Sequence, residues 1–156
     1  GGIDGFTAPY ISQDVSYVCH AAGFLYDSQK VGLPRDLFLA AVRAEGIPTG
    51  SGYVRLMYQN PLFLKQMAYG KESCPWFCGK EQSNVTYRNG QCPVAEDLID
   101  EKFLWFYHFA HPSTLEDMAD IISVIEKVLE GRDGLIEQAD KILNTRAGNK
   151  AQGRVL

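Results

Sequence analysis

The spacing of apolar residues predicts helices and strands in alternation. Ser16 to Tyr26 (SYVCHAAGFLY) is mostly apolar and partly β-favouring, which reads as a strand. Asp27 to Gly32 is a polar turn. A helix is expected from Pro34 to Glu45, with Phe38, Ala41 and Val42 on one face. Pro34 suits its first position, Asp36 its positive end, and Gly46 the left-handed residue after it. Ile47 to Met57 is irregular, with room for one short strand near Tyr53-Val54-Arg55-Leu56. Asn60-Pro61 then opens a short helix reaching about Ala68.

Gly70 to Gln91 is a long polar loop holding three aromatics and two cysteines, and loops of that length in compact domains are usually functional or flexible. Pro93 starts another short helix, VAEDLID. Phe103 to Phe109 (FLWFYHF) is a dense aromatic strand, expected to be central because both faces are apolar. Ser113 with Glu116, or Thr114 with Asp117, caps the next helix. Met118, Ile121, Ile122, Ile125, Val128 and Leu129 form its apolar stripe, and Gly131 ends it. A last helix from Leu135 to Asn144 precedes a polar tail, Arg146 to Gly153, expected to fray. The fold class is α+β, an α/β sandwich with a small sheet of about three strands covered by helices, mainly on one face.

Composition narrows the function classes. The 156 residues fit one domain, and the net charge of −4 without a Lys/Arg cluster points away from nucleic acid and anionic membranes. Apolar runs fall far short of the roughly 18 residues of a membrane span. The first residues, GGIDGFTAPY, lack the basic and apolar regions of a signal peptide and open as a domain boundary would. The expected setting is therefore cytoplasmic, with Cys19, Cys74, Cys78 and Cys92 as reduced thiols. A disulfide, or zinc held by Cys74, Cys78 and Cys92 with a histidine, is the alternative, although zinc sites favour two cysteine pairs. His20 and His108 sit in apolar strands and read as core residues.

Several segments carry a resemblance. In order they are Gly5-Phe6-Thr7-Ala8-Pro9-Tyr10, Tyr17-Val18-Cys19-His20 running on to Tyr26-Asp27, Pro34-Arg35-Asp36, and Ala41-Val42-Arg43-Ala44-Glu45-Gly46-Ile47-Pro48-Thr49. Tyr53, Asn60-Pro61-Leu62-Phe63, Cys92-Pro93-Val94-Ala95-Glu96, Phe103-Leu104-Trp105 and Thr114 to Val128 follow at the expected distances. Together they resemble the C-terminal (small) domain of the DegT/DnrJ/StrS family of pyridoxal-phosphate-dependent sugar aminotransferases, over roughly residues 2 to 130.

The resemblance implies the small-domain fold of fold-type I aminotransferases. Residues 1–14 would be a linker from a large N-terminal domain, 15–131 the small domain, and 132–156 a C-terminal helix and tail. The full enzyme would transfer an amino group to a keto sugar or cyclitol, using pyridoxal 5'-phosphate, as a cytoplasmic homodimer. That chemistry needs a lysine for the cofactor and an acid at its ring nitrogen. In the family both lie in the large domain. The eight lysines here sit in turns, helix faces or polar loops, so the chain alone is expected to be inactive and to hold no cofactor. Its share would be a wall of the substrate cleft and part of a dimer contact. Tyr53 is the leading candidate to stack on and hydrogen-bond a sugar, with Arg55 and Tyr58 beside it. The insertion from Tyr69 to Cys92 suggests a subgroup acting on cyclitols or unusual sugars.

Two rival readings stand beside this one. The chain could be a non-catalytic binding or assembly module that kept the small-domain fold. It could also be an unrelated enzyme using Cys74 or Cys78 as nucleophile with His108 or His111.

Overall fold

A computed structural model describes residues 2–52, 55–67, 69, 74–77, 85–107 and 112–144. It is mixed α and β and divides into two compact units, residues 1–51 with 101–156, and residues 52–100.

The first unit is built on a four-stranded antiparallel sheet. Its strands are β1 (Phe6–Thr7), β2 (Ala22–Tyr26), β3 (Thr49–Ser51) and β4 (Phe103–Phe106), in spatial order β1-β2-β4-β3. The aromatic strand β4 is central, as its two apolar faces require. The sheet has one strand more than expected, because Phe6–Thr7, in the stretch read as a linker, pairs with Tyr26 and Leu25.

Period-two alternation separates the two faces. Phe24 and Tyr26 of β2 and Leu104 and Phe106 of β4 point to the core. Phe103 and Trp105 point the other way and are half-buried. The core face is covered by α2 (Arg35–Ala44) and α5 (Leu115–Glu130), with partly buried residues of α6 (Arg132–Glu137) packed against it. Leu37, Phe38 and Leu39 of α2 are fully buried, each worth about 1.5–3 kcal/mol of apolar transfer. Phe38 stacks on Tyr26 at 5.2 Å, and Phe6 meets both rings edge-on. The Tyr26 hydroxyl donates to the Leu33 carbonyl at 2.8 Å, and burial pushes its pKa well above the usual phenol range.

Local signals set the helix ends. Thr114 and Asp117 form a reciprocal capping box at the start of α5, so the second of the two expected caps is the one used. Gly46, with φ of 93°, follows α2 in the left-handed conformation. Pro34 stands one place earlier than expected, as the extended residue before α2. Between β2 and α2, Asp27 caps the short helix α1 (Ser28–Val31) by accepting from the amides of Gln29 and Lys30.

Several expected elements shift. The strand read from Ser16 begins only at Ala22, because a strand needs a neighbour and the ladder with β4 runs no further than Ala22 opposite Phe106. Tyr17 and Val18 are accordingly 50% and 92% exposed. The short strand expected near Tyr53 to Leu56 is instead Thr49–Ser51, where the Thr49 hydroxyl donates to the Trp105 carbonyl at 2.6 Å. Residues 53 and 54 lie outside the described residues, and Arg55 and Leu56 are not in a strand. The last helix starts at Arg132 and breaks at Gln138 before a further helical stretch at 139–144. The aromatic strand expected to reach Phe109 ends at Phe106, with Tyr107 beyond it, and residues 108 and 109 and the tail expected to fray lie outside the described residues.

The second unit holds the short helices α3 (Pro61–Leu64) and α4 (Pro93–Asp97) and a 3-10 turn at Met57–Gln59. The helix expected to run to Ala68 stops at Leu64, where Gln66 takes a φ of 49°. From α4 the chain continues into a π-helical turn over Leu98–Lys102, which leads to β4. Among the described residues no helix is long and apolar enough to cross a membrane.

Candidate functional site

Of the three residues singled out for substrate contact, Tyr53 lies outside the described residues and Arg55 is exposed. Tyr58 is half-buried in the 3-10 turn, and its hydroxyl donates a short hydrogen bond to a carboxylate oxygen of Glu96. Glu96 is presented there by α4. Pro93 occupies the helix's first position after Cys92, placing Glu96 one turn on. The amide of Gly90 donates to both Glu96 oxygens, at 2.7 and 3.0 Å. Gly90 turns toward that carboxylate with φ of 86°, a conformation that favours glycine. The Gln59 side chain ties the same turn down through Asn89 at 3.0 Å.

The electrostatics follow from these bonds. The Tyr58 hydroxyl and the Gly90 and Cys92 amides hold the Glu96 carboxyl below the usual carboxylate range, against some desolvation. Tyr58 is pushed up to about 12, first by desolvation and then by the hydrogen bond and charge of Glu96. One proton therefore stays on Tyr58 throughout the physiological range. The pair holds shape; it is not poised to move a proton near neutral pH.

The same unit holds a cleft of about 410 Å³, lined by Leu62, Phe63, Tyr69, Pro75, Trp76 and Tyr87. Three chain segments supply it. Asn60 caps α3 by accepting from the Leu62 amide at 3.1 Å, which places Leu62 and Phe63. Tyr69 and Cys74 form an antiparallel bridge with two 3.0 Å backbone bonds, and the Cys74–Pro75 peptide is cis. Tyr87 accepts from the Trp76 indole N–H at 3.3 Å, while Gln66 donates to the Val85 carbonyl at 2.9 Å. Phe63, Trp76 and Tyr87 pack mutually, with ring centroids 5.4 to 6.3 Å apart. Trp76 is buried as the floor, whereas Tyr69 stands 81% exposed at the rim.

The cysteines correct an expectation. Cys74 is disulfide-bonded rather than a reduced thiol. Linear spacing between cysteines does not tell which of them the fold brings within bonding distance. A sulfur in a disulfide is no thiolate nucleophile, so Cys74 does not fill that role in this state. Cys19 and Cys92 are free, and Cys78, His108 and His111 lie outside the described residues. His20 is not a core residue. It precedes β2, is exposed, and meets the Tyr107 ring edge-on at 5.4 Å. Among the described residues no three histidine, cysteine or acidic side chains come together as a metal site.

Sequence reasoning passed over Glu96, Phe63, Trp76 and Tyr87 as site residues. Signals for them existed. Glu96 closes the Cys-Pro-Val-Ala-Glu segment, and the aromatics of a polar loop have to pack on something. No protein-family model and no curated protein matches this chain.

Proposed function

We propose that this chain is the C-terminal domain of a pyridoxal-phosphate-dependent aminotransferase of the DegT/DnrJ/StrS type. The full enzyme acts in the cytoplasm, as a homodimer, on a keto sugar or cyclitol. This domain contributes a wall of the substrate cleft and dimer contacts, with Tyr53 and Arg55 the residues offered to substrate. Tyr58 shapes the same wall through Glu96.

The observation that carries the reading is the placement of the segments behind the resemblance. Gly46 turns the chain after α2, Asn60 caps α3, and Cys92-Pro93 opens α4. Glu96 of the last segment grips Tyr58, two residues before Asn60. Segments far apart in sequence thus depend on one another, which gives their order and spacing a physical reason. The apolar surface left open supports a covering domain: Leu25 and Tyr107 are 41% and 43% exposed, and Tyr10 and Val18 more than 90%.

The described lysines, 30, 65, 102, 127 and 141, are all exposed. An amine that holds the cofactor is desolvated, so these residues do not fit that role, and this reading puts the reactive lysine in the large domain. A cytoplasmic setting would make the Cys74 disulfide a reversible one.

The test is to express the reading frame that encodes this chain together with its upstream sequence. The longer protein is expected to take up pyridoxal phosphate and to convert a keto-inositol or keto sugar with an amino-acid donor. Borohydride reduction and peptide mapping should place the cofactor on a lysine outside these 156 residues. Cofactor found on a lysine within them, or a frame with no large domain upstream, would sink the reading and favour the non-catalytic module.

A further inference from the structure

We propose that the cleft walled by Tyr69, Pro75, Trp76 and Tyr87 binds a neutral polyhydroxylated ring by its C–H face. The cleft is built, not incidental. Its three segments are joined by the Trp76–Tyr87 and Gln66–Val85 hydrogen bonds, and within the middle one Tyr69 is bridged to Cys74. Its volume, about 410 Å³, lies within the range of small-molecule sites.

The lining chooses the ligand. None of the six residues is charged, so a phosphate or carboxylate would be desolvated here without a partner. Aromatic faces instead favour a flat apolar surface. Polar chemistry is supplied at two points. The Tyr87 oxygen accepts from the Trp76 indole, which leaves the phenol's own hydrogen to donate. The Tyr69 hydroxyl sits at the rim, on a ring 81% exposed. A sugar or cyclitol matches both features, with one apolar C–H face and hydroxyls around its edge. An aromatic groove can also take a proline-rich peptide; the choice of a ring polyol rests on the aminotransferase reading above.

The experiment is saturation-transfer NMR on the 156-residue chain with myo-inositol and with methyl β-glucopyranoside, and in parallel with a proline-rich decapeptide. At least one polyol is expected to receive saturation at its ring C–H protons. Tyr69→Ala, at an exposed ring whose loss leaves the packing intact, should weaken binding about ten-fold, and Tyr87→Phe about three-fold or more. Circular dichroism should show both variants folded. Absence of transfer to either polyol, unchanged affinity in Tyr69→Ala, or binding of the peptide instead would overturn the proposal. Cofactor is absent from this measurement, so its failure is separate from that of the lysine-mapping test.

Discussion

The indole of Trp105 lies across Gly50 on the neighbouring strand, so closely that a Cβ at Gly50 would meet its Cζ2 at 2.1 Å. Gly50 and Trp105 are register partners, and on the other flank Trp105 faces Gly23. A Cβ at Gly23 would in turn strike the Phe103 ring at 2.8 Å. The two glycines are therefore seats for the aromatic rings of β4. Gly50→Ala is expected to destabilise the chain by about 1–3 kcal/mol, the usual cost of overpacking. Urea unfolding measures it. Trp105→Leu removes the obstacle, so the double variant should lose clearly less than the sum of the two single losses.

Tyr58 and Glu96 give the second unit a pH signature with two limbs. The Glu96 pKa is lowered, so its contribution is present above the ordinary carboxylate range and lost as pH falls through the depressed value. Tyr58 is raised, so its contribution is present below the ordinary phenol range and lost as pH rises through about 12. In Tyr58→Phe the Glu96 titration, followed by carboxyl carbon NMR, should move up toward the ordinary value. An unmoved midpoint would show that Gly90 and Cys92 alone hold the carboxylate.

The capping box of α5 should act through both partners. Thr114→Ala is expected to cost about 1 kcal/mol, as N-cap truncations typically do. The Thr114 amide and hydroxyl hold the Asp117 carboxyl below its usual range. Its share of stability is thus present above roughly pH 4 and lost as Asp117 is protonated at lower pH. The gap between wild type and Thr114→Ala should narrow in acid. A gap of constant size from pH 7 to pH 2 would exclude the carboxylate's part.

Cys74 makes a redox prediction. Alkylation without reductant, read by mass spectrometry, should leave Cys74 unmodified and label Cys19 and Cys92. A dithiol reductant should then free Cys74 and shift tryptophan emission to the red, as the buried Trp76 loses its surroundings. Cys74→Ser should show the shifted emission from the start and no further change with reductant. Four labelled thiols in the unreduced chain would contradict the structure.

The sequence made the helices legible and the strand edges much less so. In α5 the stripe of Ile121, Ile125 and Val128, the Thr114 cap and the terminal Gly131 are all local, so each could be read in isolation. Strand ends are not local. Residues 16–21 have a strand's composition, yet the start of β2 is fixed by where β4 stops. The pairing of Phe6–Thr7 with Leu25 and Tyr26 likewise depends on a partner elsewhere in the chain. The site was visible only in outline. Tyr58 could be named from the resemblance, but Glu96 is 38 residues away and no periodicity links them. The aromatics of the long loop were noticed without being joined, because the contacts of Phe63 with Trp76 and Tyr87 follow from the fold and not from spacing.

The spatial order β1-β2-β4-β3 has a consequence for synthesis on the ribosome. Strands β2 and β3 never pair with each other; each pairs with β4, some 80 and 55 residues further along the chain. A nascent chain that has released β3 but not yet β4 therefore holds the flanks of a sheet without its middle. Leu25 and the ring seats at Gly23 and Gly50 stay open until Phe106 emerges. The bare strands are exposed to misassembly during that interval, and the late entry of β4 marks the step at which a chaperone's protection would end.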